Sequence, residues 1–232
     1  MTVWHNTEIM DQLLPMPSYC LDNRQYLAKE YGALITISNF NDKLNEKHRY
    51  VYKNKFNIEE LAKDLGIGRT TLIRNINKLH KCGAKVLNIM NTQYGICYIL
   101  DYAKANKQGN DLNKYVRIPQ CMLKTLVCTF NTNAIKVYCL FKYMCNETDF
   151  KTMDNKWIAE QVGLSSKSKN NLDTITEIVN QLELCGFIET RKTNIFKFDE
   201  NKCREVPQLK KSYRVRTLEE WKTIQNKEKY SA

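Results

Sequence analysis

Between residues 56 and 83 the apolar positions fall into two helical registers with a break between them. Ile58, Leu61, Ala62 and Leu65 recur at i, i+3, i+4 and i+7, a spacing that lines one face of a helix and predicts a short element buried on that side. Gly66-Ile67-Gly68 breaks the period. A second helix is predicted from Arg69, with Leu72, Ile73, Ile76 and Leu79 inward and Gly83 as a glycine cap. Upstream, Leu27, Tyr31, Leu34, Ile35 and Ile37 mark a first core helix, and Tyr50-Val51-Tyr52 a short strand. Downstream, the β-prone runs 85–90 and 96–100 flank Asn91-Thr92-Gln93-Tyr94-Gly95 and predict a hairpin.

The same pattern recurs in the second half of the chain. Residues 103–114 are polar and aperiodic, as a linker would be, and Tyr115-Val116-Arg117-Ile118-Pro119 reads as extended because the residue before proline avoids the helical region. Residues 134–145, AIKVYCLFKYMC, form a strongly apolar helix. Trp157-Ile158-Ala159 through Val162-Gly163-Leu164 then matches Leu61-Ala62 through Leu65-Gly66-Ile67 in residue type, and Leu182 to Gly186 matches Leu79 to Gly83. The interval from Gly66 to Gly83 is 17 residues and that from Gly163 to Gly186 is 23, so six residues are inserted around SSKSKNNLDT. Runs 187–191 and 195–198 predict a tight second hairpin across Lys192-Thr193-Asn194.

The ends complete the layout. A short helix is expected over residues 7–14, stopped by Pro15 and Pro17, which makes residues 1–25 a packing arm. Beyond Asp199 the chain is a basic tail containing Lys202, Arg204, Lys210, Lys211, Arg214 and Arg216. Thr217-Leu218-Glu219-Glu220 has capping-box form and starts a last helix to about Lys227, on which Trp221 is a docking anchor. The predicted fold class is α+β, mainly helical. It comprises an arm (1–25), a first domain (26–102), a linker (103–114), a second domain (115–199), and a basic tail with a C-terminal helix (200–232), the two domains being an internal duplication.

Charge narrows the class of partner. The 232 residues carry 36 basic and 25 acidic side chains, a formal charge of +11, which favours a polyanion. No 18-residue apolar run and no basic amphipathic terminal segment points to a membrane, and the N-terminus lacks a signal peptide, so a cytoplasmic protein is expected. Nine cysteines occur singly from Cys20 to Cys203 with no C-x-x-C pair, which argues against a disulfide framework or a metal site. No phosphate-cradling G-x-x-x-x-G-K-[ST], H-E-x-x-H or G-x-S-x-G stretch is present, and the three histidines are isolated. No catalytic residue, cofactor or metal is assigned.

Chemistry concentrates on the second predicted helix of the first copy. Arg69, Arg74, Lys78 and Lys81 lie there with no acid between them, beside Thr70, Thr71 and Asn75. A solvated helix face usually mixes signs to gain i,i+4 pairs, whereas an unmixed basic face suits phosphates and base edges. A solvated helical corner is the alternative. In the second copy residues 170–184 carry Asp173, Glu177 and Glu183 and no cation, so its basic groups are Lys167 and Lys169 in the inserted turn, with Ser168, Asn170 and Asn171, and Arg191 and Lys192 in the hairpin. That copy either binds through these groups or presents a pairing or partner surface.

The order helix, strand, helix, turn, helix, hairpin, with LAKDLGIGRTTLIRNINKL at its centre, resembles winged helix-turn-helix domains over residues 27–102. The resemblance implies a third helix in the major groove and a hairpin on backbone or minor groove. Arg69, Thr70, Thr71, Arg74, Asn75, Lys78 and Lys81 would then read the groove, with Asn91, Thr92, Gln93 and Tyr94 at the wing tip. The stretches YVRIP, WIAEQVGLS and LELCGFIE are similar to the first domains of plasmid and phage replication initiators and replisome organisers of low-GC bacteria. This implies a non-enzymatic, sequence-specific protein on double-stranded DNA acting in replication initiation. A transcriptional regulator of a mobile element and a protein-interaction module are the alternatives, with self-association or a replication or transcription protein as a partner of the second domain.

Overall fold

The computed structural model describes residues 12–40, 48–102, 115–145, 147–199 and 203–231. The protein is a mixed α/β chain of helices and small antiparallel sheets that divides into two compact units, Met1–Cys139 and Leu140–Ala232. The first unit therefore extends well past residue 102. The predicted linker, 103–114, lies outside the described residues, as do residues 1–11 of the predicted arm, which include 7–11 of its expected helix.

In the first unit β1 (Leu13–Pro17) pairs antiparallel with β6 (Tyr115–Pro119), in register Leu13 with Pro119 and Pro17 with Tyr115. Residues 13 and 14 are thus in a strand, not in the expected helix. Pro15 and Pro17 stand two apart, so their missing N–H groups fall on one edge, the edge away from β6, and the pairing survives both. Helix α1 (Ala28–Thr36) packs against α4 (Gln120–Thr129), a helix the sequence reading did not identify. This contact, together with β1 on β6, is why residues 115–139 belong to the first unit.

The rest of the unit is built on α1. Strands β2 (Asn39–Phe40), β3 (His48–Tyr52), β4 (Leu87–Thr92) and β5 (Gly95–Asp101) form one sheet in the order β2-β3-β5-β4. Helices α2 (Ile58–Asp64) and α3 (Arg69–Lys81) bury Leu61, Ala62, Leu72, Ile76 and Leu79 on their inner faces. Tyr26, Tyr31, Leu34 and Ile35 beneath them are fully buried. The Tyr31 hydroxyl donates to Asp101 O at 3.2 Å, and Arg49, buried on β3, donates to Ser38 Oγ and O at 2.6 and 3.0 Å.

Lys136, on α5 (Thr132–Met144), is 2% exposed and donates from Nζ to Asn23 O at 2.8 Å. Burial pulls its pKa down to about 8, opposed by the charges of Cys20 and Asp22. Above that pH the folded chain releases this proton while the unfolded chain keeps it to about 10.4. The unfolded state then binds more protons, and the stability contributed by this group rises with pH across the window. Cys139, pushed up to about 12 by burial, contributes with the opposite sign, but it is present in both wild type and a Lys136 variant. For Lys136→Met, urea titrations should show the difference in midpoint shifting in favour of the wild type between about pH 7.5 and about pH 10. A pH-independent difference would refute the lowered pKa.

The second unit repeats the helix pair with α6 (Asn155–Gln161) and α7 (Lys169–Leu184). Of the six additional residues, three lengthen the turn before α7 and three lengthen the helix, which has 16 residues against 13 in α3. Asp154 caps α6, accepting from Trp157 N at 2.8 Å.

The C-terminal part differs from the sequence reading. β8 (Ile188–Asp199) and β9 (Arg204–Val215) are twelve-residue strands paired along their whole length, with Lys192 opposite Lys211 and Asp199 opposite Arg204. Lys192-Thr193-Asn194 is mid-strand, not a turn, and the predicted basic tail is the partner strand. The cause is the return strand itself, which was read as a basic tail and not as a strand. A short strand, β7 (Lys151–Thr152), completes the order β7-β9-β8.

Arg214 fixes the base of this ribbon. Its guanidinium donates to Glu147 O at 2.9 Å, to both Glu220 oxygens at 3.1 and 2.9 Å, and to Glu189. Arg216 donates to Ile188 O at 3.1 Å. These two cations are structural. Helix α8 (Leu218–Ser231) begins with a reciprocal capping box, Thr217 N to Glu220 Oε2 at 2.8 Å and Glu220 N to Thr217 Oγ1 at 3.2 Å. Trp221, 7% exposed, lies 5.6 Å from the Phe187 ring and anchors the helix.

Candidate nucleic-acid interface

The site is organised by the turn between α2 and α3. Asn57 caps α2, its Oδ1 accepting from Glu59 N at 2.9 Å. Gly66 takes φ +65, a left-handed conformation that a side chain at this position would resist, and this reverses the chain within four residues. Ile67 N donates back to Ala62 O at 3.0 Å and closes the turn. At the far end the reading is corrected, because α3 ends at Cys82 in extended conformation and Gly83 has no positive φ.

With Leu72, Ile76 and Leu79 held inside, the opposite stripe of α3 is Thr70, Ile73, Arg74, Asn77, Lys78 and Lys81, all exposed. Ile73, 37% exposed, was expected inside and instead sits on the outer stripe. Facing that stripe are Arg24, Gln25 and Leu27, and the two sides enclose a groove of about 760 Å³. Arg24, Arg74, Lys78 and Lys81 give the groove its charge, and none of its lining residues is acidic. Lys78 and Lys81 in the last helical turn also gain from the helix dipole, typically about 0.3–1 kcal/mol each on a surface. Arg74, mid-helix, has no such explanation.

Two predicted groove residues are engaged elsewhere. Asn75 turns inward and donates from Nδ2 to Glu30 Oε1 at 2.6 Å, tying α3 to α1, because Glu30 is 4% exposed and requires a partner. Arg69 lies 3.6 Å from Glu59 on α2, so its charge is partly answered within the protein. Thr71 is half-buried at the helix start and does not line the groove. His80 Nδ1 lies 3.2 Å from Leu87 O, a packing contact to β4.

The hairpin of the first unit is tighter than expected. Asn91 and Thr92 end β4, leaving Gln93 and Tyr94 as the turn, with Tyr94 67% exposed. Thr92 Oγ1 accepts from Tyr94 N at 3.2 Å and donates to Gly95 O at 2.8 Å. Asn54 donates to Tyr94 O at 3.1 Å, which brings a 3-10 turn (Lys53–Lys55) to the tip. The tip has no cation of its own, and Lys53 and Lys55 supply exposed ones beside it.

In the second unit Lys167, Lys169 and Asn170 are exposed at the start of α7, of which Lys169 is the first residue rather than part of the turn. Ser168 is the residue before the helix, and Asn171 donates to Ser165 O at 3.0 Å and braces the turn. Glu183 faces inward, accepting from Thr190 N and Oγ1 at 3.0 and 2.6 Å, which leaves Asp173 and Glu177 as the exposed acids of α7. Arg191 stacks 3.9 Å over Phe150, and Lys192 is exposed.

Asn77, Arg24, Gln25, Lys53 and Lys55 were missed by the sequence reading. Asn77 was legible, at i+7 from Thr70 on the same stripe; the others depend on loops whose packing leaves no periodic signal. Among the described residues there is no group of three metal-ligating side chains, and no helix is long and apolar enough to cross a membrane. No protein-family model, curated protein or solved structure matches the chain.

Proposed function

We propose that the chain is a sequence-specific binder of double-stranded DNA built from two winged helix-turn-helix units, and that it acts in plasmid or phage replication initiation. The observation that carries the DNA reading is the acid-free basic groove along α3. In this reading α1, α2 and α3 are the three helices, α3 reads bases and β4–β5 is the wing. Arg74 and Asn77 suit base edges, the first to guanine and the second to adenine. Arg24, Lys78 and Lys81 suit phosphates. The assignment of the process rests on the resemblance of YVRIP, WIAEQVGLS and LELCGFIE alone to initiator and replisome-organiser domains.

Affinity against salt tests the DNA reading. Three groove cations on phosphates, Arg24, Lys78 and Lys81, give a log–log slope of about −2.7 for a duplex. A slope near zero removes its electrostatic basis. Footprinting in the native host separates the processes, since protection of direct repeats beside an AT-rich segment supports initiation and protection of a promoter supports a transcriptional regulator. The apolar lining from Leu27 and Ile73 favours a second reading, an acidic amphipathic helix as the groove's occupant. Duplex DNA failing to compete with such a peptide would favour it.

A further inference from the structure

The β8–β9 ribbon is longer than packing on its unit requires. Its base is buried through Ile188, Tyr213 and Val215, whereas the pairs from Lys192–Lys211 to Phe196–Pro207 have no buried member. Pairs two apart share a face, so Lys192 and Lys211, then Asn194 and Leu209, then Phe196 and Pro207, follow one another on a single face. Phe196 is 67% and Leu209 58% exposed. No acid occurs from Thr190 to Phe198 or from Val206 to Val215.

Lysines on an exposed ribbon protect it from pairing with other strands, and that alone accounts for scattered cations. It does not account for two lysines directly opposite one another, an arrangement that costs stability, nor for a phenylalanine and a leucine beside them on the same open face. A second copy of the ribbon is a poor occupant, because it would bring a like-charged pair onto Lys192 and Lys211. A polyanion with apolar walls answers both features. Duplex DNA offers phosphates at the rims of the minor groove and deoxyribose and base-stack surfaces within it.

Resting on the duplex-binding reading, the geometry points to β8–β9 as a DNA-deforming arm, with Phe196 wedged at a base step in an opened minor groove and Lys192 and Lys211 on flanking phosphates. The two strands lie about 4.8 Å apart before side chains are added, and an undeformed minor groove is about 6 Å wide. Entry therefore requires widening, which an inserted apolar side chain produces by partly unstacking a step and bending the duplex toward the major groove. Lys192 is four residues behind Phe196, about 13 Å along the strand, and is placed to meet phosphates beside the wedged step. Leu209 packs against the sugar wall.

The test uses the full chain and a mixed-sequence duplex of roughly 40 base pairs carrying a donor and an acceptor dye at its ends, in about 50 mM salt. Wild type is expected to raise energy transfer as it binds. Phe196→Ala removes an exposed side chain and is expected to leave the duplex straight while still binding it through the α3 groove. Lys192→Ala with Lys211→Ala should reduce the log–log salt slope by about 1.8. Equal bending by wild type and Phe196→Ala, or binding by wild type without bending, overturns the wedge. If Arg74→Glu with Lys78→Glu then still abolishes binding, the DNA reading survives that result. If wild type ignores the duplex at every salt concentration, both readings fall together.

Discussion

Replacing Arg74 and Lys78 together by glutamate is expected to weaken duplex binding by about 100-fold or more, measured by fluorescence anisotropy. Both side chains line the groove with Arg24 and Lys81, and neither contributes to the core. A lost arginine contact to a base costs about 1–3 kcal/mol, and each 1.4 kcal/mol is tenfold in affinity. Reversing the signs adds repulsion from the phosphates. The melting temperature should remain that of wild type, because the changed side chains are exposed. Arg69→Glu should act more weakly, since Glu59 already lies 3.6 Å from that guanidinium. Asn75→Ala should behave in the opposite way, destabilising the fold by about 1–3 kcal/mol through the orphaned, buried Glu30. Unchanged binding by the double variant would refute the assignment of α3 as the reading helix.

Gly32→Leu is expected to unfold the first unit. A Cβ at Gly32 would lie 2.8 Å from Val127 Cγ1, 3.5 Å from Leu123 Cδ1 and 3.5 Å from Met16 Cε, so α1, α4 and β1 meet where only hydrogen fits. Even Gly32→Ala overpacks this contact and should cost about 1–3 kcal/mol. Val127→Ala removes the nearest methyl, so the double variant should be more stable than the sum of the two single changes, by a coupling of about 0.5–3 kcal/mol. Urea unfolding of the four proteins measures the coupling. Strict additivity would mean that α1 and α4 do not pack here, and the first unit would then end near residue 102 as the sequence predicts.

The helix pair was legible because burial on one face imposes a period, and Leu61, Leu72, Ile76 and Leu79 obey it. Ile73 and Asn75 were misplaced for a related reason. Periodicity assigns a face by residue type, and here an apolar residue sits outside while an amide turns in to satisfy a buried carboxylate on another helix. Long-range pairing was the larger gap. Pro15 and Pro17 looked like a stop signal until β6 supplied a partner for the opposite edge. Lys192-Thr193-Asn194 looked like a turn because polar residues in a projecting ribbon have no core to alternate against. The groove itself was half visible: α3 announced its charge, but Arg24 arrives from a loop that no spacing connects to it.

The pairing of β1 with β6 also sets the order of assembly during synthesis. Leu13 cannot meet Pro119 until roughly a hundred further residues have left the ribosome, a delay of about 5–20 s at ordinary elongation rates. Through that interval α1 lacks α4, and its small-residue face at Gly32 stands open. Helix α3 between them is made early and completed late. An acid-free helix carrying four of the chain's cations is therefore exposed to the polyanionic surroundings of the ribosome before its own scaffold closes.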